Sequence, residues 1–250
     1  MIFTYLLVEG THDAAFAGRI LRHAGLNPIR LAEQVDAFWS PLIKLPFPHR
    51  GDLLKRMPVP YFYQNNDVSV AIHVVGGDGS FADTLQESLA VLPITRLAAV
   101  GILLDADSEK APSVRFDELR ATLLAYIPVW PNQPGAVADG PLRTGVFVLP
   151  DNTSHGTLED LLLESAALSW PETLPLARDF VANAQATLTG ADLRELRRPA
   201  GVKKATVACI GTLLRPGKSI QASIDDNGWL AIHSPRQQNL QTFLNRLIGR

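Results

Sequence analysis

The amino-acid sequence predicts an α/β protein whose parallel sheet is flanked by helices. Short apolar runs alternate with helical patterns along the chain, and the apolar runs at 2–8 and 97–104 end abruptly in carboxylates. Alternation of strands and helices implies crossover connections, which produce a parallel sheet. The 250 residues, of which 46% are hydrophobic, are sufficient to bury a substantial core.

The predicted elements follow one another in this alternating order. Strands are expected at 2–8, 68–75, 97–104 and 144–149. Helices are expected at 12–24, 80–91 and 115–126, after Thr157, at 172–198 and at 236–248. We assign 1–165 to the α/β domain, with a proline-rich insertion at 27–66, and 166–250 to a mainly helical part that completes the same domain.

Charge and cysteine content exclude several classes of protein. The net charge is −2, so no general positive field attracts nucleic acid. The single cysteine, Cys209, excludes an intramolecular disulfide and a cysteine-based zinc cluster. No run of about 18 apolar residues and no basic leader segment is visible, so we expect no membrane association and a cytoplasmic location.

Carboxylates follow two of the predicted strands. Glu9 comes after the first strand and Asp105 after the third, and ligands of open α/β sheets collect at such carboxyl ends. Asp107 points to the same side as Asp105 in extended backbone, and Asp13 falls in the first turn of the next helix. Each acid alone also suits a turn or a helix start. Together they predict a site for Mg²⁺ or Mn²⁺.

These acids carry a resemblance to a known family. The segment Val8–Gly10 followed by Asp13, with Asp105 and Asp107 after a later strand, resembles the Toprim domain. That domain is shared by topoisomerases, bacterial primases, recombination-repair proteins and the overcoming-lysogenization-defect (OLD) nucleases. The resemblance implies a Toprim-like, Rossmann-like fold and metal-dependent chemistry on nucleic acid.

A second acidic segment follows the fourth predicted strand. Thr157 suits an N-cap, which places Glu159 and Asp160 in the first helical turn, where acids are also favoured for helix stability alone. The segment 149–163 resembles small stand-alone Toprim-related proteins of unknown function and the acidic segment after the Asp-x-Asp motif of OLD nucleases. This resemblance makes Glu159 the preferred further metal ligand, Asp160 the second and Asp151 the third.

A basic segment lies near the end of the chain. Residues 190–218 contain seven basic and two acidic residues, an asymmetry that can meet a phosphate backbone or form a solvated helix face. Pro199 and Gly201 predict a loop here. The expected nucleic-acid contacts are Arg197, Arg198, Lys203 and Lys204. Lys204 and Ala208 resemble the Lys-x-x-x-Ala element of OLD nucleases, which implies an active-site lysine at 204, or alternatively at 203.

Two further segments allow alternative interpretations. The insertion at 27–66 mixes prolines, aromatic residues and, between 44 and 56, basic residues. Its aromatics can stack on bases, but such residues more commonly pack onto their own domain. The glycine-rich stretch 76–80 resembles the phosphate loop of the NAD-kinase and diacylglycerol-kinase families.

The sequence therefore predicts a Mg²⁺- or Mn²⁺-dependent nuclease that uses a two-metal mechanism. The predicted catalytic residues are Glu9, Asp105, Asp107 and Lys204, and the predicted metal ligands are Glu9, Asp13, Asp105, Asp107, Glu159 and Asp160. The alternatives are a non-catalytic module that binds nucleic acid or a protein partner and, third, a small-molecule kinase. Nucleic acid is the expected partner, with a homodimer or a separate protein also considered.

Overall fold

The structure, a computed structural model, describes residues 1–43, 59–76, 80–106, 110–231 and 234–250. In these residues the chain forms a seven-stranded sheet with helices on both faces, which confirms the predicted α/β class. The strands are β1 (Ile2–Val8), β2 (Asn27–Ile29), β3 (Tyr61–Gln64), β4 (Val68–Val74), β5 (Leu97–Asp105), β6 (Val137–Ala138) and β7 (Arg143–Leu149). Their order across the sheet is β2-β3-β4-β1-β5-β7-β6.

The centre of the sheet is parallel and its two sides are antiparallel. β4, β1, β5 and β7 pair in parallel, whereas β2, β3 and β6 pair antiparallel at the sides. The four parallel strands are the four that the sequence predicts. Because they run in one direction, their carboxyl ends meet at one edge of the sheet, where open α/β sheets bind ligands.

Helices cover both faces of this sheet. They are α1 (Thr11–His23), α2 (Ser40–Ile43), α3 (Phe81–Val91), α4 (Pro112–Leu123), α5 (Leu158–Ser169), α6 (Thr173–Thr187), α7 (Gly190–Leu196), α8 (Gly201–Leu214), α9 (Ile220–Asp226) and α10 (Pro235–Leu247). The layer with α1, α5, α6 and α8 to α10 packs on one face, and the layer with α2 to α4 packs on the other. Among the described helices, none is long and apolar enough to cross a membrane.

The alternation of side chains along β1 explains how both layers are attached. Leu6 and Val8 pack into the core that contains α1 and α5, while Phe3, Tyr5 and Leu7 pack into the opposite core. Side chains of a strand point alternately to the two faces of the sheet. All five are buried, so β1 is a central strand covered on both sides, as expected for a parallel sheet.

The proline-rich insertion contributes to the sheet and to one core. Its two strands, β2 and β3, extend the sheet beyond β4 and were not predicted. Phe38, Trp39 and Phe62 are buried, and the ring centroids of Phe3 and Phe38 lie 4.1 Å apart. The packing interpretation is therefore confirmed for these three aromatics of the insertion. The basic residues at 44–56 lie outside the described residues.

The basic segment near the end of the chain is mostly helical, so the prediction of a loop around Lys203 and Lys204 was wrong. Both lysines lie in α8, and the break is confined to the short connection after α7. Ala200 has a φ of 60°, and a Cβ atom on Gly201 would overlap the carbonyl of Leu196. Gly201 thus permits a tight turn between two helices rather than ending helical structure.

The last helix packs directly on the backbone of two central strands. Gly101 of β5 and Gly145 of β7 are register partners, so together they form a flat patch on the sheet. Leu247 of α10 fills the space over Gly101, and a Cβ atom on Gly145 would lie 2.7 Å from the Phe243 ring. Absence of two side chains lets α10 approach the sheet closely.

Candidate active site at the carboxyl edge of the sheet

An open cavity of about 400 Å³ lies at the carboxyl ends of β1 and β5, where α1 and α5 begin. Four of the ten described residues that line it are acidic, and they are accompanied by one lysine and one histidine. The lining residues are Glu9, Gly10, Thr11, His12, Asp13, Gly76, Asp105, Leu158, Glu159 and Lys204. The structure therefore brings together, from three separate segments of the chain, four of the six residues predicted to be metal ligands, and Lys204 joins them from a fourth segment.

Glu9 and Asp105 lie side by side because their strands are neighbours. Val8 of β1 pairs with Leu103 of β5, so the residues that follow both strands emerge at the same edge. Asp105 is 9% exposed, and its Oδ1 accepts a hydrogen bond from the backbone N–H of Leu158 at 3.1 Å. This contact joins β5 to the beginning of α5.

Asp13 is buried among other carboxylates in the first turn of α1. Its Oδ2 accepts a hydrogen bond from the backbone N–H of Gly10 at 2.7 Å. Burial, followed by the negative charges of Glu159 and Glu9, raises the pKa of Asp13 from 3.8 to about 7, although the Gly10 hydrogen bond and Lys204 oppose this. Such a carboxylate is expensive to ionise without a cation nearby.

Glu159 faces the cavity from the first turn of α5. Its side chain is 3% exposed, and its Oε2 accepts a hydrogen bond from the hydroxyl of Thr157 at 2.7 Å.

His12 also lines the cavity. Burial lowers the pKa of His12; the negative charge of Glu159 raises this pKa, and the positive charge of Lys204 lowers it further. His12 was not among the predicted site residues, and only its position between Glu9 and Asp13 could have indicated it.

The two lysines of α8 have different surroundings. Lys204 lines the cavity with the acids. Lys203 instead forms an ion pair with Asp160, with 2.7 Å between its Nζ and Oδ1 of the aspartate. Asp160 also accepts the backbone N–H of Thr157 at 2.9 Å, which caps α5. Asp160 and Lys203 therefore stabilise the packing of α5 against α8 and do not line the cavity.

The remaining predicted residues lie away from the cavity. Asp151 accepts hydrogen bonds from Thr153 and Ser154 and pairs with Arg236 at 2.9 Å. Although partial burial raises its pKa, the Ser154 and Thr153 hydrogen bonds lower it to about 2. Asp151 is thus a turn-forming residue rather than a ligand of this cavity.

The predicted nucleic-acid contacts Arg197 and Arg198 lie in the exposed turn between α7 and α8. Arg198 forms an ion pair at 2.8 Å with Glu195, one turn earlier in α7. Neither arginine lines the acidic cavity, in contrast to Lys204.

Two predicted features fall outside the described residues. Asp107 lies in the undescribed segment 107–109, directly after Asp105 and Ala106. The glycine-rich stretch is described only at its ends, because 77–79 are also outside. Gly76 has a φ of 79° and lines the acidic cavity, so this stretch begins at the same site.

The donor set fits a hard divalent cation in type and in place. Glu9, Asp13, Asp105 and Glu159 supply carboxylate oxygens, which Mg²⁺ and Mn²⁺ prefer. Within the described ranges, however, no three His, Cys, Asp or Glu side chains are already arranged as a metal-binding group. To hold an ion, the carboxylates that line the cavity would therefore have to converge on a common point.

The open, mainly parallel sheet with its site at the carboxyl edge defines an α/β protein of the Rossmann-like class. The chain belongs to the family described as protein of unknown function (DUF3226), which it matches over residues 4–249.

A solved structure shares this fold. It is the crystal structure of the hypothetical protein PH0156 from Pyrococcus horikoshii OT3, with a TM-score of 0.56 and 13% sequence identity. The similarity covers 99% of this chain and 95% of that chain. At this identity, the similarity shows the fold alone. Comparison with curated proteins gave no match.

Proposed function

We propose that this protein is a Mg²⁺- or Mn²⁺-dependent phosphodiesterase of the Toprim type that hydrolyses DNA or RNA. The observation that carries the proposal is the shared cavity of Glu9, Asp13, Asp105, Glu159 and Lys204. Buried carboxylates are costly to ionise unless a cation neutralises them, and the pKa of Asp13 is raised first by its burial and then by the charges of Glu159 and Glu9.

The acids have distinct roles in this proposal. Glu9, Asp13 and Asp105, together with Asp107, would hold one divalent cation, and Glu159 would help to hold a second. When bound, such cations lower the pKa of water and neutralise developing charge on a phosphoryl group. Leu158 orients Asp105 through its backbone N–H, and Thr157 orients Glu159 through its hydroxyl.

Lys204 is the cation that the chain itself contributes to the cavity. Its ammonium would bind the non-bridging oxygens of a phosphodiester and stabilise the negative charge that grows on them during hydrolysis. The exposed Arg197 and Arg198, which precede the same helix, would contact more distant phosphates and contribute affinity rather than rate.

The test is Mg²⁺- and Mn²⁺-dependent cleavage of supercoiled, linear and single-stranded DNA, and of RNA. Asp105→Asn keeps an Oδ1 acceptor for the Leu158 N–H, so the fold is retained while one ligand charge is removed. We expect activity to fall more than about 100-fold. The matched control is Asp151→Asn, outside the cavity, which should cleave at nearly the unmodified rate. A fully active Asp105→Asn protein would refute the mechanism.

A second candidate is a module of the same fold that binds nucleic acid or a partner without catalysis. It is favoured by the lack of a preformed metal-binding group among the described residues. This candidate predicts salt-dependent binding of nucleic acid that needs no divalent cation and persists in Asp105→Asn. Absence of cleavage together with such binding would replace the phosphodiesterase proposal with this one.

A further inference from the structure

A second cavity, of about 210 Å³, lies between α1, α9 and the two strands that the insertion adds to the sheet. Rings and prolines form much of its wall, including Tyr61, Tyr63, Pro28 and Pro60. Gln221 of α9 supplies a polar group, Asp225 lines the cavity with a carboxylate that is ion-paired with Arg22, and Arg30 lies at the exposed rim. None of these residues takes part in the acidic cavity.

We propose that this second cavity binds one unstacked nucleobase of a single-stranded nucleic acid. This inference rests on the proposed function, because it assigns a nearby nucleotide of the same substrate. It also defines the substrate more narrowly, as single strands, loops or frayed ends rather than intact duplex. Proteins read nucleic acids in this way by stacking splayed bases on aromatic side chains.

The tyrosines provide a fixed aromatic surface. Tyr61 and Tyr63 are two residues apart in β3, so both point to the face that carries α1, while Phe62 points to the opposite core. Tyr61 is half-buried, and its hydroxyl accepts a hydrogen bond from Nε2 of Gln221 at 2.9 Å. Tyr61 packs against the core of this face with part of its surface, and the exposed remainder of its side chain lines the cavity, where a base can stack on it.

Tyr63 is held in place by the helix beneath it. A Cβ atom at Gly18 of α1 would overlap the Tyr63 hydroxyl, so glycine is needed for this close approach. Burial, followed by the charge of Asp225, raises the pKa of Tyr63 to about 12, so its hydroxyl keeps its proton. The buried Tyr63 and the hydrogen bond between Gln221 and Tyr61 therefore order this part of β3 before any ligand arrives, which reduces the entropy cost of binding.

The polar groups and the size of the cavity favour a base over other ligands. The amide of Gln221 offers hydrogen bonds to the edge of a planar ring, and Arg30 offers a charge to its phosphate. The volume lies below the roughly 300–1,000 Å³ of pockets for drug-sized molecules, so it suits a single ring system. A folded peptide needs a larger surface.

The two cavities are neighbours across one helix. Asp13 lines the acidic cavity, whereas Ala14 and Ala15, the next residues of α1, line the second one. Because β5 and β3 are three strand spacings apart, about 14 Å, a single strand whose phosphodiester lies at Asp105 and Lys204 can place a base a few nucleotides further along against Tyr61. A base in intact duplex is paired and stacked, so it cannot enter.

The first experiment detects the base alone and is independent of catalysis. Saturation-transfer NMR with thymidine as the probe should show transfer from the protein to the base protons. We expect this transfer to be lost in Tyr61→Ala and weakened in Gln221→Ala, but kept in Tyr61→Phe and in Asp105→Asn. Thermal melting followed by circular dichroism checks that each variant is folded. If Tyr61→Ala does not fold, Gln221→Ala provides the test in its place.

The second experiment measures cleavage. For single-stranded DNA, KM should rise roughly 5- to 100-fold in Tyr61→Ala with little change in kcat, since stacking of one base is lost far from the reacting bond. Tyr61→Phe should remain close to the unmodified protein, and blunt duplex should be a poor substrate for all forms.

The two proposals fail separately. If saturation transfer to thymidine is absent, or is equal in Tyr61→Ala and the unmodified protein, the base subsite is overturned even if DNA is cleaved. Transfer that depends on Tyr61 without cleavage by any form would support the subsite and refute the nuclease. A proline-rich peptide that binds at Tyr61 while thymidine does not would also overturn the base assignment.

Discussion

Removal of one charge from the acidic cavity should stabilise this protein while it destroys the proposed metal site. The substitution is Asp13→Asn. The asparagine keeps an acceptor for the Gly10 N–H, which the carboxylate accepts at 2.7 Å, and its volume is nearly the same. The substitution therefore removes the buried charge near Glu9 and Glu159 with little other change.

The size of the effect follows from the pKa of Asp13. A pKa raised from 3.8 in the unfolded chain to about 7 in the folded protein corresponds to roughly 4 kcal/mol. The folded state holds the proton more tightly, so the free energy of unfolding decreases as the pH rises through this range and is lowest above about pH 7. Asp13→Asn should thus gain most at about pH 8 and almost nothing near pH 4.

Urea denaturation in EDTA at these two pH values measures the gain directly. Addition of Mn²⁺ at about pH 8 should then stabilise the unmodified protein, because the ion neutralises Asp13, and should have much less effect on Asp13→Asn. The matched control is Asp160→Asn at the same position of α5, which loses its ion pair with Lys203 and should become less stable. If Asp13→Asn is no more stable than the unmodified protein at pH 8, the inference of crowded carboxylates is incorrect.

Two further substitutions test the site and the fold. Lys204→Ala should reduce kcat for DNA cleavage and, in EDTA, should also lower the free energy of unfolding, because it removes positive charge beside the carboxylates of the cavity. Lys203→Ala should leave kcat intact and cost at most about 1 kcal/mol from its half-exposed ion pair. Equal kinetic effects would show that the cavity does not distinguish the two lysines. Gly101→Ala should lower the free energy of unfolding by about 1–3 kcal/mol, because the new methyl group overlaps Leu247. Urea denaturation measures this loss, and an unchanged free energy of unfolding would contradict the close packing of α10 on β5.

The parallel core of the fold could be predicted from the sequence because its strands are fully buried. Such strands are continuous apolar runs, as in 97–105, and they end at polar residues that mark the edge of the sheet. β2 and β3 were not predicted because they are short and contain or follow a proline. Pro28 lies within β2, and Pro60 directly precedes β3. Proline is tolerated at an edge strand, but it removes the pattern that identifies a strand.

The candidate site was predictable where a carboxylate directly follows a strand, as at Glu9 and Asp105. The helix-borne residues were harder to separate. Glu159 and Asp160 are neighbours in the first turn of α5. Asp160 caps this helix through the Thr157 N–H and points towards Lys203, whereas Glu159 points into the cavity. A helix turns by about 100° per residue, so adjacent acids face different surroundings, and sequence spacing alone cannot assign them.

The glycine patch beneath α10 limits how sequences of this family can diverge. Gly101 and Gly145 are register partners in neighbouring strands, and each faces one large side chain, Leu247 or Phe243. A family member with alanine at the first position should therefore carry a smaller residue at 247, and one with alanine at the second position a smaller residue at 243. Within each pair the two substitutions should couple, so the stability lost in the double variant of Gly101→Ala and Leu247→Ala should be smaller than the sum of the two single losses.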